Sequence, residues 1–246
     1  MKIFSVINYK GGTGKTSTVV HIAAGLALRG KKVLIIDTDP QGSAAHHLGV
    51  AYQSTLYDLI MGKKGYLECV VSARQNIDMI CSNERLFPAE VAMARMAKRE
   101  LVLSKRLKDL EGYDYVILDC PPSMNVMNQN SLLLSDEVLL PVSMEYLSLV
   151  GVKQLLQNIK IINKIFNREI FISNVIPTFY DKRNRKSAFV LDSLNRVFPK
   201  FVTSPIRTSV SLSEAPGFKQ TVFEFDPSSK GAEDYHRLVE EVFYNE

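Results

Sequence analysis

Near the N-terminus, Lys10-Gly11-Gly12-Thr13-Gly14-Lys15-Thr16-Ser17 combines small, cationic and hydroxyl side chains where an apolar run gives way to a segment rich in Val, Ala and Leu. Glycines let backbone N–H groups curl around phosphate oxygens without side-chain clashes. A helix starting there adds the positive end of its dipole. Lys15 can reach the β- and γ-phosphates of a nucleotide, and the Thr16 hydroxyl can ligate Mg²⁺. The general phosphate-loop string G-x-x-x-x-G-K-T places a glycine where this chain has Tyr9, and a second lysine, Lys10, enters the loop instead. Two carboxylates extend the set. Asp39 and Asp119 each follow a short apolar run, at the strand edge where open α/β sheets bind ligands. Two acids beside a phosphate loop suit Mg²⁺ and an attacking water, and Asp37 is a third carboxylate of the same stretch.

These residues need a scaffold. Short apolar runs at Ile3–Ile7, Val33–Ile36, Ile77–Ile80, Tyr115–Leu118, Val138–Leu140 and Ile170–Val175 predict buried strands. Residues 15–29, 88–110, 146–165, 186–198 and 229–244 predict helices. In 146–165, Val152, Leu155, Leu156, Ile159 and Ile162 keep helical spacing, with Lys153, Lys160 and Lys164 off that stripe. Residues 42–76 are less regular and predict loops and short helices. The alternation implies an α/β fold, doubly wound, with a mostly parallel sheet and helices on both faces. Residues 1–246 read as a single domain. Hydrophobic residues make up 46% and charged residues 23%, which excludes a chain that is disordered throughout. There is no 18-residue apolar run, and the start of the chain lacks a signal-peptide core. Cys69, Cys81 and Cys120 form no C-x-x-C pair, so a reducing, cytoplasmic setting is expected. The net charge of +4 permits an anionic partner without requiring one.

The loop resembles the deviant Walker A motif of the ParA/MinD ATPases. Asp37-Thr38-Asp39-Pro40-Gln41-Gly42 is similar to the family's switch I, and Tyr115 through Ser123 to its Walker B and switch II. Leu212-Ser213-Glu214-Ala215-Pro216 and Asp226-Pro227-x-x-Lys230-Gly231-Ala232 resemble signatures of the ParA/Soj branch, so the resemblance spans nearly the whole chain. It implies a P-loop ATPase that binds ATP and Mg²⁺ and hydrolyses ATP slowly on its own. Asp39 would position the water, and Thr16 and Asp119, with Asp39, would serve the metal. Lys10 would reach across a nucleotide sandwich homodimer to the partner's phosphates, a cation supplied in trans. Asn174, Pro177 and Thr178, with the segment around Pro205–Thr208, are candidate walls for the base.

The branch also implies binding to non-specific DNA in the ATP state, a ParB-type activator, nucleoid association, and the partition of plasmid or chromosomal DNA. Residues 181–200 carry six basic and two acidic side chains, with Lys182, Arg183, Arg185 and Lys186 clustered before a helix. That is the footprint of a phosphate-backbone binder, and Arg183 matches the branch pattern. An arginine usual before Leu-Ser-Glu-Ala-Pro is Ser211 here, and Arg207 is the candidate replacement. Two other uses of the scaffold are positioning a non-DNA cargo on the nucleoid and a MinD-like membrane or scaffold switch. The acidic tail Leu238–Glu246 disfavours anionic lipid, and no stable membrane association is expected. His46 and His47 read as surface or loop residues, because helix neighbours point apart. Cys120 reads as a core or turn thiol, Ser123 as a switch II residue, and Met93 and Met96 as core or dimer contacts.

Overall fold

Strand β1, Lys2–Val6, runs directly into the glycine-rich loop, and helix α1, Lys15–Ala27, leaves it. The computed structural model describes residues 1–244, so Asn245 and Glu246 of the acidic tail lie outside the described residues. Strands β2 (Val33–Asp37), β3 (Val70–Arg74), β4 (Ile77–Ile80), β5 (Tyr115–Asp119), β6 (Glu137–Ser143) and β7 (Ile172–Thr178) join β1 in one sheet of order β3-β4-β2-β5-β1-β6-β7. Every neighbouring pair is parallel except β3 with β4. This is the expected doubly wound architecture with one antiparallel edge.

Alternation along the strands sends side chains into two cores. Leu34, Ile36, Val116 and Leu118 face one layer, and Val33, Ile35 and Ile117 the other. All are fully buried, and each aliphatic side chain so placed stabilises the fold by about 1.5–3 kcal/mol. Short helices α2 (Ser43–Leu48), α3 (Leu56–Ile60) and α4 (Tyr66–Cys69) fill the irregular stretch, as expected. Helices α5 (Leu86–Met93), α6 (Val102–Arg106), α7 (Val126–Leu134), α8 (Ser148–Phe166) and α9 (Arg185–Val197) follow. The C-terminal part holds α10 (Val210–Glu214), α11 (Val222–Phe225) and α12 (Lys230–Phe243).

The helix expected over 88–110 is broken. Lys98 takes a left-handed conformation (φ 54°), a short 3₁₀ turn spans Arg99–Leu101, and α6 starts afresh. Asn130 of α7 supports the break, because its amide accepts from the Leu103 N–H (2.9 Å) and donates to the Arg99 carbonyl (2.8 Å). Thus the orphan backbone groups that a broken helix exposes are satisfied by a side chain.

Candidate functional site

The parallel register brings the carboxylates together. Val6, Asp119 and Asp37 are aligned across β1, β5 and β2, so both acids stand at the C-terminal edge beside the loop that follows β1. Gly14 ends the loop at φ 81°, which a residue with a Cβ rarely adopts. Lys15 is buried, and its Nζ donates to the Lys10 carbonyl at 3.2 Å. The Thr16 hydroxyl donates to Asp119 Oδ2 at 2.7 Å. The other Asp119 oxygen, Oδ1, is buried and has no partner among the described residues. Asp37 is also buried, and it accepts from the N–H groups of Asp39 (3.0 Å) and Ala44 (3.2 Å), which fixes switch I. Asp39 stands half-buried, with one oxygen on the Gln41 N–H.

This edge is electrostatically unsettled. Burial pushes the Asp119 carboxyl up to about 7, against the Thr16 hydrogen bond and the Lys15 cation. Burial, with Asp119 alongside, lifts Asp37 well above the usual carboxylate range. Burial also lowers the Lys15 ammonium, with Asp119 the chief opposing influence. An orphaned carboxylate oxygen, a threonine hydroxyl and a second acid form an all-oxygen donor set, the kind that fits Mg²⁺.

Lys10 lies apart from this centre. Its Nζ donates to Ser148 Oγ (3.1 Å) and pairs with Glu145 Oε2 (3.6 Å), while Lys186 bonds the other oxygen of Glu145 (3.0 Å). Close packing explains the placement. A Cβ on Gly151 of α8 would stand 2.9 Å from Asn8 Oδ1, so only glycine lets α8 approach the loop this tightly. Glu145 and Ser148 had no motif to mark them; their position just beyond β6, at the same sheet edge, is the one signal that points to them.

A cavity of about 380 Å³ adjoins the loop. Gly14 and Ser17 line it on the loop side, Thr178 and Phe179 at the end of β7, and Ile206 to Val210 beyond, with Tyr235 of α12 beneath. Thr178 ties the two sides together, its hydroxyl donating to the Thr13 carbonyl at 2.9 Å. Asn174 does not take part. It pairs with Leu139 in mid-strand, four residues short of Thr178, because β7 extends to 178 instead of ending at 175. Pro177 contributes its carbonyl to the Ile206 N–H (2.8 Å), and Pro205 lies just outside the lining.

The basic cluster splits. Lys182, Arg183 and Arg185 are exposed before and at the start of α9, with Arg183 paired to neighbouring Asp181 at 2.9 Å. Arg207 does not join them. It is held by buried Asp234 and by Glu233 of α12, and the residue is part of the cavity wall. Ser211 donates to Asp226 Oδ2 at 2.8 Å. His46 is exposed, but His47 is buried, a correction to the surface role expected for both. The inner face of α2 packs His47 against His21 of α1, ring centroids 5.3 Å apart. Desolvation keeps both rings neutral, His21 near 3 and His47 near 4. Cys120 is buried, its thiol pushed up to about 12 by burial, which makes it a core group. Among the described residues, no helix is long and apolar enough to cross a membrane.

Comparison with known proteins places this geometry. An AAA-domain family model matches residues 1–172. The chain is 36% identical over 250 residues to the sporulation initiation inhibitor protein Soj of Bacillus subtilis, covering 99% of each. It is also similar to solved structures. One is an aspartate-to-alanine variant of Cyanothece McdA in complex with ATP (25% identity, TM-score 0.90, covering 100% of this chain and 97% of that one). Another is cobyrinic acid a,c-diamide synthase of Mycobacterium smegmatis with a bound ATP analogue and magnesium (29%, TM-score 0.84, covering 98% and 93%). With sequence relatives matched from end to end and with this sheet edge, the chain belongs to the ParA/Soj family of partition ATPases.

Proposed function

We propose that the chain binds ATP with Mg²⁺ on the loop between β1 and α1, hydrolyses it to ADP and phosphate as a homodimer, and uses the ATP state to hold non-specific DNA during partition. The observation that carries this reading is the single carboxylate edge, where Thr16 bonds Asp119, Lys15 is buried beside it and Asp39 stands half-buried at the rim. Thr16 and Asp119 would hold the metal, with Asp39 near it, and the metal would supply charge neutralisation between the phosphates. Lys15 neutralises the same phosphates from the loop. Asp39 orients the water that attacks the γ-phosphorus; the bond to the ADP oxygen breaks, and the water's proton leaves towards the Asp39 side.

Lys10 fits a role in trans. In the single chain it is held by Ser148 and Glu145; Tyr146, Leu147 and Val150, close to Glu145 and Ser148 in the chain, are exposed, as is Phe189, whose ring lies 5.4 Å from that of Tyr146. An apolar, exposed stretch beside the partners of a cation that a minimal phosphate loop does not use is a surface suited to a second copy. A ParB-type protein is the activator this reading expects, and turnover of the chain alone is slow.

Asp39→Ala tests the reading. ATP binding is expected to persist while turnover falls by roughly 10²-fold, leaving a dimer that survives on ATP in analytical ultracentrifugation. Rapid hydrolysis by this variant would remove the role given to Asp39. For DNA, Arg183→Glu is expected to weaken binding to random-sequence duplex by roughly tenfold near 0.1 M salt, with ATPase unchanged. Equal affinity of the variant and the parent would move the DNA surface away from α9.

A further inference from the structure

The chemistry of the sheet edge leaves two buried histidines unused, where the loop helix meets switch I. His21 of α1 is fully enclosed, and His47 of α2 is 4% exposed. His21 is fixed to the first turn of α1, its Nδ1–H donating to the Ser17 carbonyl at 2.6 Å. Its ring stacks on Tyr235 of α12, centroids 4.7 Å apart, and the Tyr235 hydroxyl bonds that of Thr18 (3.3 Å). His47 meets the His21 ring at 68°, with centroids 5.3 Å apart. Nε2 of each ring is buried without a partner among the described residues, so the contact holds by packing and not by a hydrogen bond. The start of α2 is tied to Asp39. The Asp39 carbonyl accepts from the Gly42 N–H (3.0 Å), and Asp37 takes the N–H groups of both Asp39 and Ala44. Gly42 stands at φ 64°, and a Cβ there would lie 2.6 Å from the Ser82 carbonyl. The segment from Asp39 to Ala44 therefore has little freedom of its own. At the other end of α2, Arg74 of β3 donates to the Leu48 carbonyl (3.2 Å) while paired with Glu224 of α11 (2.7 Å).

We propose that His47, seated on His21, is a positioning residue for Asp39: it sets where switch I stands against the phosphate loop. Thr16, Ser17 and His21 belong to one helix, so a ring resting on His21 is referenced to the loop itself. Helix α2 has six residues, too few to hold a conformation without tertiary packing on its inner face. Orienting an attacking water is sensitive to displacements of about an ångström. Without the His47 ring, α2 would shift between its end contacts and carry Asp39 with it. Lys15 and the loop backbone would stay in place, so ATP binding would persist. The effect on turnover rests on the nucleotide reading above; the seating of α2 does not.

The test uses the full chain and two variants. His47→Ala removes the ring, and His47→Met refills its space with a flexible apolar side chain. In hydrogen exchange without nucleotide, the α2 amides of His47→Ala are expected to exchange about tenfold faster than the parent's, with α1 amides within about twofold. With Mg²⁺ and ATP, its kcat is expected to fall about tenfold while KM stays within about twofold. His47→Met is expected to bring both exchange and kcat back to within about threefold of the parent. Parental kcat in His47→Ala overturns the inference, whatever α2 exchange shows, because the seat would then not govern Asp39. So does a loss that falls on KM instead of kcat, or one that His47→Met does not recover. Each of these leaves the nucleotide reading intact. A parent that does not hydrolyse ATP overturns the nucleotide reading and the role given to His47 with it.

Discussion

Lys15→Ala is expected to reduce ATP turnover by about 10³-fold or more, the loss typical of removing a cation aimed at transferring phosphate. The argument begins with burial. Lys15 is buried in the first turn of α1, yet it lies within reach of Asp119, Asp39 and the loop carbonyl of Lys10. Desolvation lowers its pKa while the two acids sustain its charge. A phosphate brought to this loop would supply the anion that a buried ammonium lacks. Alanine removes that cation and leaves Asp119 with the Thr16 hydroxyl as its one side-chain partner among the described residues. Lys10 does not substitute: in the single chain it lies on Ser148 and Glu145, and in the proposed dimer it serves the partner's phosphates. Steady-state turnover, with circular dichroism to establish that the variant is folded, checks the prediction. Turnover within tenfold of the parent would move phosphate stabilisation to another residue.

The chemistry of the loop was legible because its spacing is short-range. Strand, glycines, Lys15, Thr16 and helix are contiguous, and each has a local reason to be where it is. The central strands were equally legible, because burial on both faces makes them continuously apolar. Strand β3 escaped because an edge strand is only half covered, and Val70–Arg74 is accordingly partly exposed throughout. Helix α7 escaped for a different reason. Asn128, Asn130 and Ser131 are buried on it, which spoils the apolar stripe that sequence reading follows. Each donates to a backbone carbonyl: the Asn128 amide to Pro121, the Asn130 amide to Arg99 and the Ser131 hydroxyl to Met127. Such residues look solvent-facing in sequence and become tertiary ties in the fold.

Long-range partners were the part sequence could not supply. Arg207 reads as one more basic residue near a basic cluster, and nothing local marks Asp234, 27 positions later, as its carboxylate. His47 reads as half of an exposed pair until α2 is laid on α1. Glu145, shared by Lys10 and Lys186, joins three segments that only the order β1-β6-β7 brings together. In each case the residue type was visible and its partner was not.

Asp119→Asn is expected to abolish turnover and yet to stabilise the nucleotide-free protein at pH 8 by about 2 kcal/mol. Asp119 is fully enclosed, with one oxygen bonded to Thr16 and the other unpartnered among the described residues. Burial raises its folded pKa from 3.8 to about 7. The folded state therefore holds a proton that the unfolded chain releases between about pH 4 and pH 7. The stability linked to this group is fully present below about pH 4 and is lost as pH rises through about 7. An asparagine keeps an acceptor for Thr16 and carries no charge at any pH, so the loss disappears. His21 and His47 act in the opposite sense, since their folded pKa values near 3 and 4 lie below the ordinary 6.5, and stability falls as acid protonates them in the unfolded chain. Comparing parent and variant cancels that contribution. The difference in Tm should be near zero at pH 4 and grow in favour of the variant up to pH 8, in thermal melts without nucleotide. Added Mg²⁺ and ATP should reverse the order, because the parent has a carboxylate to offer the cation and the variant does not. A variant less stable than the parent at pH 8 would mean that Lys15 and Thr16 already compensate the buried charge. The edge would then be a settled ion pair, and not a site whose unpaired oxygen is reserved for a ligand.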